Sequence, residues 1–260
     1  MSNRPSPSHP GPSTVTAFID ESLLLFLKPE HRRPLQILPL GRRRSIKDFI
    51  ESLGIPHVEI GGLRLNDRRV NFDAILTGGE RIQVLAPTEP VDPTRPDELQ
   101  RPPLPKIRFL CDVHLGKLTR FLRLLGFDTA YRNHHGDDEL IEIATGEQRL
   151  LLTRDRFLLR RARLIHGYFV RHIQPADQIR EVVRRYGLHR FSRPFSRCPM
   201  CNGILQSVEK QEVLHRLPPM TANHFNTFYQ CRTCSKLYWP GSHFKKLEAW
   251  VRDWLEGNRA

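Results

Sequence analysis

A chain of 260 residues with 39% hydrophobic and 27% charged side chains and a mean hydropathy of −0.46 has room for two or three small cores. It holds no run approaching the roughly 18 apolar residues that a membrane span needs, so a spanning protein is not expected. The 41 Lys and Arg against 28 Asp and Glu leave a formal charge of +13 and a pI near 10.1, which favours a polyanionic partner, nucleic acid first, although an Arg-rich, Pro-rich chain also suits a GC-rich coding background. The opening MSNRPSPSHPGPST has no apolar segment of the secretory kind; residues 1–14 read as a disordered leader and the cytoplasm as the expected compartment.

Segment 15–87 comes first. VTAFID (15–20) and LQILPL (35–40) read as strands. Ser45 is placed to cap a helix over IKDFIESLG, with Asp48 in its first turn and Gly54 as its stop. The short runs HVEIGG, LRLNDRRV and LTGGERIQVLAP then suggest more strands and a small α+β domain. The ending GGERIQVLAP resembles the last hairpin of a ubiquitin-like β-grasp domain, close to the sulfur-carrier branch. That resemblance implies a docking or structural module for a protein partner. Carrier chemistry is the alternative, and it would need processing after Gly79, because Gly78 and Gly79 are internal here. Residues 88–105, TEPVDPTRPDELQRPPLP, are too rich in proline for a helix or a central strand and read as an extended linker.

Segment 106–190 alternates in type. KIRFLCD (106–112) reads as a strand. LGKLTRFLRLLG follows as a helix with Leu115, Leu118, Phe121, Leu122 and Leu125 on one stripe. FDTAYR (127–132) is a second strand, and DDELIEIATGEQ (137–148) a helix with acids in its first turn. RLLLT (149–153) is an apolar strand of the parallel-sheet kind, and 156–164 is expected to continue as a basic helix. GYFVRHI (167–173) is a further strand, and Pro175 opens a helix that Gly187 closes. The alternation predicts an α/β domain with a mainly parallel sheet.

Sites in such sheets form at the carboxyl ends of the strands. Asp112 and Asp155 fall at two such ends, and Asp137, Asp138 and Glu139 open the helix after the second strand. Clustered carboxylates call for a hard cation such as Mg²⁺ or Mn²⁺, which can lower the pKa of a bound water and stabilise charge on a phosphodiester oxygen. Seventeen Lys or Arg against ten Asp or Glu in 106–190 surround them with positive charge. Asp112, Asp137 or Asp138, and Asp155 are thus candidate catalytic acids, Asp112 and Asp155 the candidate Mg²⁺ or Mn²⁺ ligands, and Arg154, Arg156, Arg160 and Lys117 candidate contacts to a nucleic-acid backbone. The same acids also sit where helix N-caps belong. Cys111 reads as a small core residue, His134 and His135 as a solvated or phosphate-contacting loop, and His114 faces the proposed rim.

FLCDVHLGKLTRFLRLLGFDTAYR, DDELIEIA and RLLLTRD together resemble the RNase domain at the C-terminal end of the nematode Mut-seven protein, a member of the PIN-like nucleases. The resemblance spans about 106–240, and a ubiquitin-like domain ahead of it is a known bacterial arrangement. It implies hydrolysis of single-stranded RNA with Mg²⁺ or Mn²⁺, with the family's acids falling on Asp112, Asp137 or Asp138, and Asp155. A fourth acid found in many PIN nucleases has only Asp177 as a candidate here.

Residues 188–197 read as a basic connector. Beyond them, Cys198 and Cys201 form one pair and Cys231 and Cys234 another, with 29 residues between the pairs. Two such pairs without an export signal read as four thiolates on one structural Zn²⁺, a ribbon over 195–255 that ends in a helix carrying Trp250 and Trp254. Phe225, Phe228, Tyr229, Tyr238 and Trp239 suit either base stacking or the ribbon's own core. The expected architecture is therefore a leader (1–14), a β-grasp domain (15–87), a linker (88–105), a PIN-like RNase domain (106–190) and a zinc ribbon. The expected function is metal-dependent ribonuclease. A non-catalytic RNA- or ribosome-binding protein is the alternative.

Overall fold

A computed structural model describes residues 13–256, so most of the expected leader lies outside the described residues. The described chain forms two compact units, one of residues 13–88 with 96–102, the other of 89–95 with 103–256. The proline-rich stretch is thereby divided between them instead of standing free. Arg101 donates to the carbonyls of Val58 and Ile60 in the first unit, and the Val91 N–H donates to Arg185 O in the second.

The first unit contains β1 (Thr14–Ile19), β2 (Leu35–Pro39), β3 (Arg44–Ser45), α1 (Ile46–Leu53), β4 (Gly62–Leu65), β5 (Arg68–Arg69), β6 (Ile75–Leu76) and β7 (Arg81–Leu85). The sheet runs β2-β1-β7-β4-β5, with β1 parallel to β7 and the other pairs antiparallel. Alternate residues Val15, Ala17, Ile19, Ile82 and Val84 are buried with Ile46, Phe49 and Ile50 of α1. Ser45 Oγ accepts from the Asp48 N–H at 3.1 Å, and Gly54 ends the helix at φ 107°, where a side chain would run into Phe26 O. Gly78 and Gly79 lie in the turn between β6 and β7. Processing after Gly79 would delete β7, the strand that pairs with both β1 and β4, which removes the sulfur-carrier alternative.

The second unit opens with β8 (Phe109–Cys111), α2 (Gly116–Leu124), β9 (Thr129–Ala130), α3 (Asp137–Gly146), β10 (Leu150–Thr153), β11 (Gly167–Phe169) and α4 (Pro175–Tyr186). Its four strands are all parallel in the order β11-β10-β8-β9. The strands are shorter than the sequence suggests but almost wholly buried. The basic helix expected over 156–164 is only a 3₁₀ turn at Leu158–Arg160. Like charges at Arg156 and Arg160, one turn apart with Arg161 and Arg163 beyond, oppose a longer helix.

The chain steps from β8 outward to β9, then crosses back over β8 to β10 and on to β11. The winding reverses between β8 and β10, and their carboxyl ends flank a crevice there. Leu115, the N-cap of α2, and Leu118 and Leu122 within it share one core with Ile179, Val182 and Val183 of α4 and with Phe109 and Tyr168 of the sheet.

The chain continues through β12 (Leu205–Val208), α5 (Lys210–Val213), α6 (Pro219–His224), β13 (Phe228–Cys231), β14 (Leu237–Tyr238) and α7 (Ser242–Glu256). β12, β13 and β14 form an antiparallel ribbon. Helix α7 is longer than the expected terminal helix. It returns to the α2–α4 core, burying Trp254 with its ring 4.7 Å from Phe121 and leaving Trp250 exposed. No helix is long and apolar enough to cross a membrane among the described residues.

Candidate active site

Asp112 follows β8 directly and is buried. Its Oδ1 accepts from the His114 N–H at 2.8 Å, which caps a short 3₁₀ turn. Its Oδ2 accepts from the Thr153 hydroxyl and, at 3.2 Å, from the Arg154 N–H. Thr153 is the last residue of β10, the strand beside β8, and its Oγ1 in turn accepts from the Asp155 N–H at 2.9 Å. The two acids at the crevice are thus tied together through one buried hydroxyl. Asp155 Oδ1 accepts from the Phe157 N–H at 2.7 Å. A carboxylate has about four lone-pair positions, so neither acid is saturated by these bonds.

Asp137 and Asp138 are exposed at the start of α3, which the sheet's winding places at the same carboxyl end. Asp138 pairs with Arg161 at 3.2 Å. Neither joins Asp112 and Asp155 in a ready-made ligand group. Among the described residues only the four cysteines bring three or more ligating atoms together. Asp177 pairs with Arg180 in the first turn of α4 and does not supply a fourth acid to such a group.

The expected backbone contacts divide. Arg154 Nη1 donates to the carbonyls of Val170, Arg171 and His172 and thereby ties the ends of β10 and β11 together. Arg156 and Arg160 lie over the rings of Phe169 and Phe157. Lys117 is exposed on the first turn of α2. His134 is exposed. His135, expected in the same solvated loop, is buried instead, its Nε2 3.5 Å from Glu139. Burial pushes the Cys111 thiol up to about 12, against a hydrogen bond from Thr119 that pulls the other way, so it is a core residue and not a nucleophile.

Two residues of this region escaped the sequence reading. Thr153 looked like the apolar end of a strand. Glu181 looked like an ordinary charge on a helix, yet it is buried and accepts from the Arg171 N–H (2.8 Å), the His172 N–H (3.0 Å), the His172 ring (2.7 Å) and the Tyr168 hydroxyl (2.8 Å). No apolar stripe marked it, because Gln178 and Arg185, three residues before and four after it on the helix, are polar and buried too.

The four cysteines meet as the spacing predicts. Their Sγ atoms all lie within 4.8 Å of one another, with Cys198–Cys234 at 3.8 Å and Cys201–Cys231 at 3.4 Å. Tetrahedral zinc with Zn–S bonds of about 2.3 Å sets its sulfurs about 3.8 Å apart, so the cluster fits a structural Zn²⁺. Each knuckle ends on a left-handed residue, Asn202 (φ 72°) and Ser235 (φ 57°). Gly203 follows the first because a Cβ there would come within 2.7 Å of Cys231 Sγ. Of the aromatics, Phe228 is ribbon core, while Tyr229 stays exposed.

The first knuckle is also bound to the parallel sheet. Buried Arg123 of α2 donates to Pro199 O, Met200 O and Thr129 O. Asn202 donates to Asp128 and accepts from the Thr129 N–H. Burial alone would raise Asp128, but Arg149 and Asn202 hydrogen bonds and the charges of Arg149 and Arg197 hold it below the ordinary carboxylate range.

A family model described as the Mut7-C RNAse domain matches residues 107–251, more than half of the chain, and one described as Mut7-C ubiquitin matches residues 13–92. No curated protein and no solved structure matches.

Proposed function

Since the chain belongs to the Mut7-C RNAse domain family, with a Mut7-C ubiquitin domain ahead of it, we propose that it hydrolyses RNA phosphodiester bonds at the β8–β10 crevice. The observation that carries this reading is the pairing of Asp112 and Asp155 at adjoining strand ends where the sheet's winding reverses, joined through Thr153. Two such carboxylates fit one hydrated Mg²⁺ or Mn²⁺, which binds through one or two acids and completes its shell with water and substrate phosphate. When bound, the ion lowers the pKa of a water and offsets charge developing on the phosphate.

The chain's own residues do the rest. Thr153 is a positioning residue that fixes the Asp112 carboxylate. The Arg154 N–H shares the oxygen that Thr153 holds and the His114 N–H holds the other, so the free lone pairs face a constant direction. Asp155 and Asp112 would hold the ion, and Asp137, exposed at the head of α3, would serve it as an outer-shell acid. In the first unit the exposed cross-strand neighbours Phe18, Leu35 and Ile37 support the expected protein partner.

A second reading is favoured by the bonds from His114 and Phe157: both acids cap turns, and the protein binds RNA without cleaving it. The test is cleavage of labelled single-stranded RNA with Mn²⁺, with EDTA, and with Asp112→Asn/Asp155→Asn. Asn caps turns about as well as Asp, so the double variant should fold normally. Loss of about 100-fold or more in rate, with little change in Tm, supports the nuclease. Binding by both proteins with cleavage by neither supports the capping reading.

A further inference from the structure

Beside Asp112 the second unit holds a cleft of about 530 Å³, within the size range of small-ligand sites. His114, Lys117 and Arg120 line one wall at a spacing of three, which sets them along one side of the α2 entry. Tyr131 and Met200 line other parts, and no carboxylate contributes to the lining. Lys117 and Arg120 are exposed and have no acidic partner among the described residues, unlike Arg149, Arg161 and Arg180, each spent on Asp or Glu. Tyr131 is fixed in place: its hydroxyl donates to Val113 O at 3.1 Å. Its ring end also presses on Gly116, where a Cβ would come within 2.7 Å of the hydroxyl.

The cleft and the acids meet at one loop. The His114 N–H bonds Asp112 while the His114 side chain lines the cleft. Positive charge without counter-charge, a held aromatic ring and an exposed methionine match a strand of phosphates with bases turned toward the protein. On the other flank of Asp155, Arg154 Nη1 is held by three carbonyls and Arg156 and Arg160 lie on aromatic rings.

We infer that the single-stranded RNA on one side of the scissile phosphate lies in this cleft, its phosphates on the His114–Lys117–Arg120 stripe and a base against Tyr131. The inference rests on the ribonuclease reading for the position of the scissile bond, but binding can be measured apart from cleavage.

The experiment is fluorescence anisotropy of a labelled single-stranded RNA across a salt series. The protein is the full chain, in the Asp112→Asn background so that the probe survives. Lys117→Glu/Arg120→Glu should weaken binding at least about 30-fold and flatten the slope of log affinity against log salt by roughly 1.4, the share of two phosphate contacts. Tyr131→Ala should cost about tenfold at unchanged salt slope, and Tyr131→Phe, which keeps the ring, much less. Both charge-reversed positions are exposed, so the Tm should hold. Equal or greater loss from Arg156→Glu/Arg160→Glu would overturn the inference and put the strand on the other flank. Parallel cleavage assays in the wild-type background separate the two readings. Cleavage and binding that survive the cleft substitutions sink the cleft alone. Cleft-dependent binding by a chain that never cleaves sinks the nuclease alone.

Discussion

The cysteine cluster and the carboxylate crevice proposed above as a hard-ion site are of opposite construction in the same unit. The thiols come in two pairs on two knuckles, and all four ligand atoms are already within tetrahedral reach of one another. The crevice offers two acids, each partly used by its own loop, and among the described residues no third ligand gathers with them. A soft site filled entirely by the chain is closed and structural. A hard site that the chain leaves half-built has room for water and phosphate, which is what turnover needs. The difference is also one of mechanical load: Arg123 and Asn202 tie the thiol site into the sheet, so the knuckle is a brace for α2 and β9.

The largest effect should therefore come from the thiol side. Cys198→Ser should lose bound zinc by elemental analysis and cost several kcal/mol, lowering Tm by about 10 °C or more, because metal-binding energy is folding energy here. Removing Mg²⁺ or Mn²⁺ alone should move Tm by no more than about 2 °C. A Cys198→Ser protein of unchanged Tm would break the contrast at its root.

A smaller effect separates the crevice acids from a carboxylate that the protein saturates. Burial alone would raise the Glu181 pKa, but the Arg171 and His172 N–H groups, the His172 ring and the Tyr168 hydroxyl outweigh it and hold the group below its usual 4.5. A depressed carboxyl stabilises the fold above its unfolded pKa, and that contribution disappears as pH falls through the folded value. Thermal melts should therefore stay level from neutral pH to about pH 5 and then decline. Glu181→Gln should cost about 1.5–3 kcal/mol at pH 7 and soften the acid decline, since a neutral amide has no proton to gain. An unchanged acid limb in the variant would assign the decline to other groups.

Much of this was legible from the residues. Ser45 and Gly54 bound a helix through their own side-chain and backbone chemistry, and the apolar runs at 109–111 and 150–153 announced a parallel sheet. The CxxC pairs specify their own geometry, so the thiol site was readable in full. Asp112 and Asp155 could be placed at strand ends, but their link through Thr153 depends on which strands are neighbours, and strand order is not local information. The bonds from Arg154 Nη1 to the carbonyls past the end of β11 were hidden for the same reason. The cleft was invisible in sequence because its walls come from α2, the loop after β9 and the first knuckle.

The smallest effect decides how far the crevice extends. Asp137 and Asp138 are adjacent, both exposed and both at the head of α3, so sequence gives no reason to prefer either. The structure does: Asp138 is paired with Arg161 on a largely exposed surface, whereas no ion pair engages Asp137 among the described residues. In the proposed site Asp137 would act as an outer-shell partner, and loss of such a partner costs about 10- to 100-fold in activity or metal affinity. Asp137→Asn should thus lower Mn²⁺-dependent cleavage by about tenfold and raise the Mn²⁺ concentration for half-maximal rate. Asp138→Asn should change cleavage by less than about twofold and stability by under about 1 kcal/mol, as expected of an exposed ion pair. Equal, large losses at both positions would mean that α3 closes onto the crevice when RNA and metal bind. The half-built site would then be completed by the chain itself, and the contrast with the thiol cluster would narrow to one of timing.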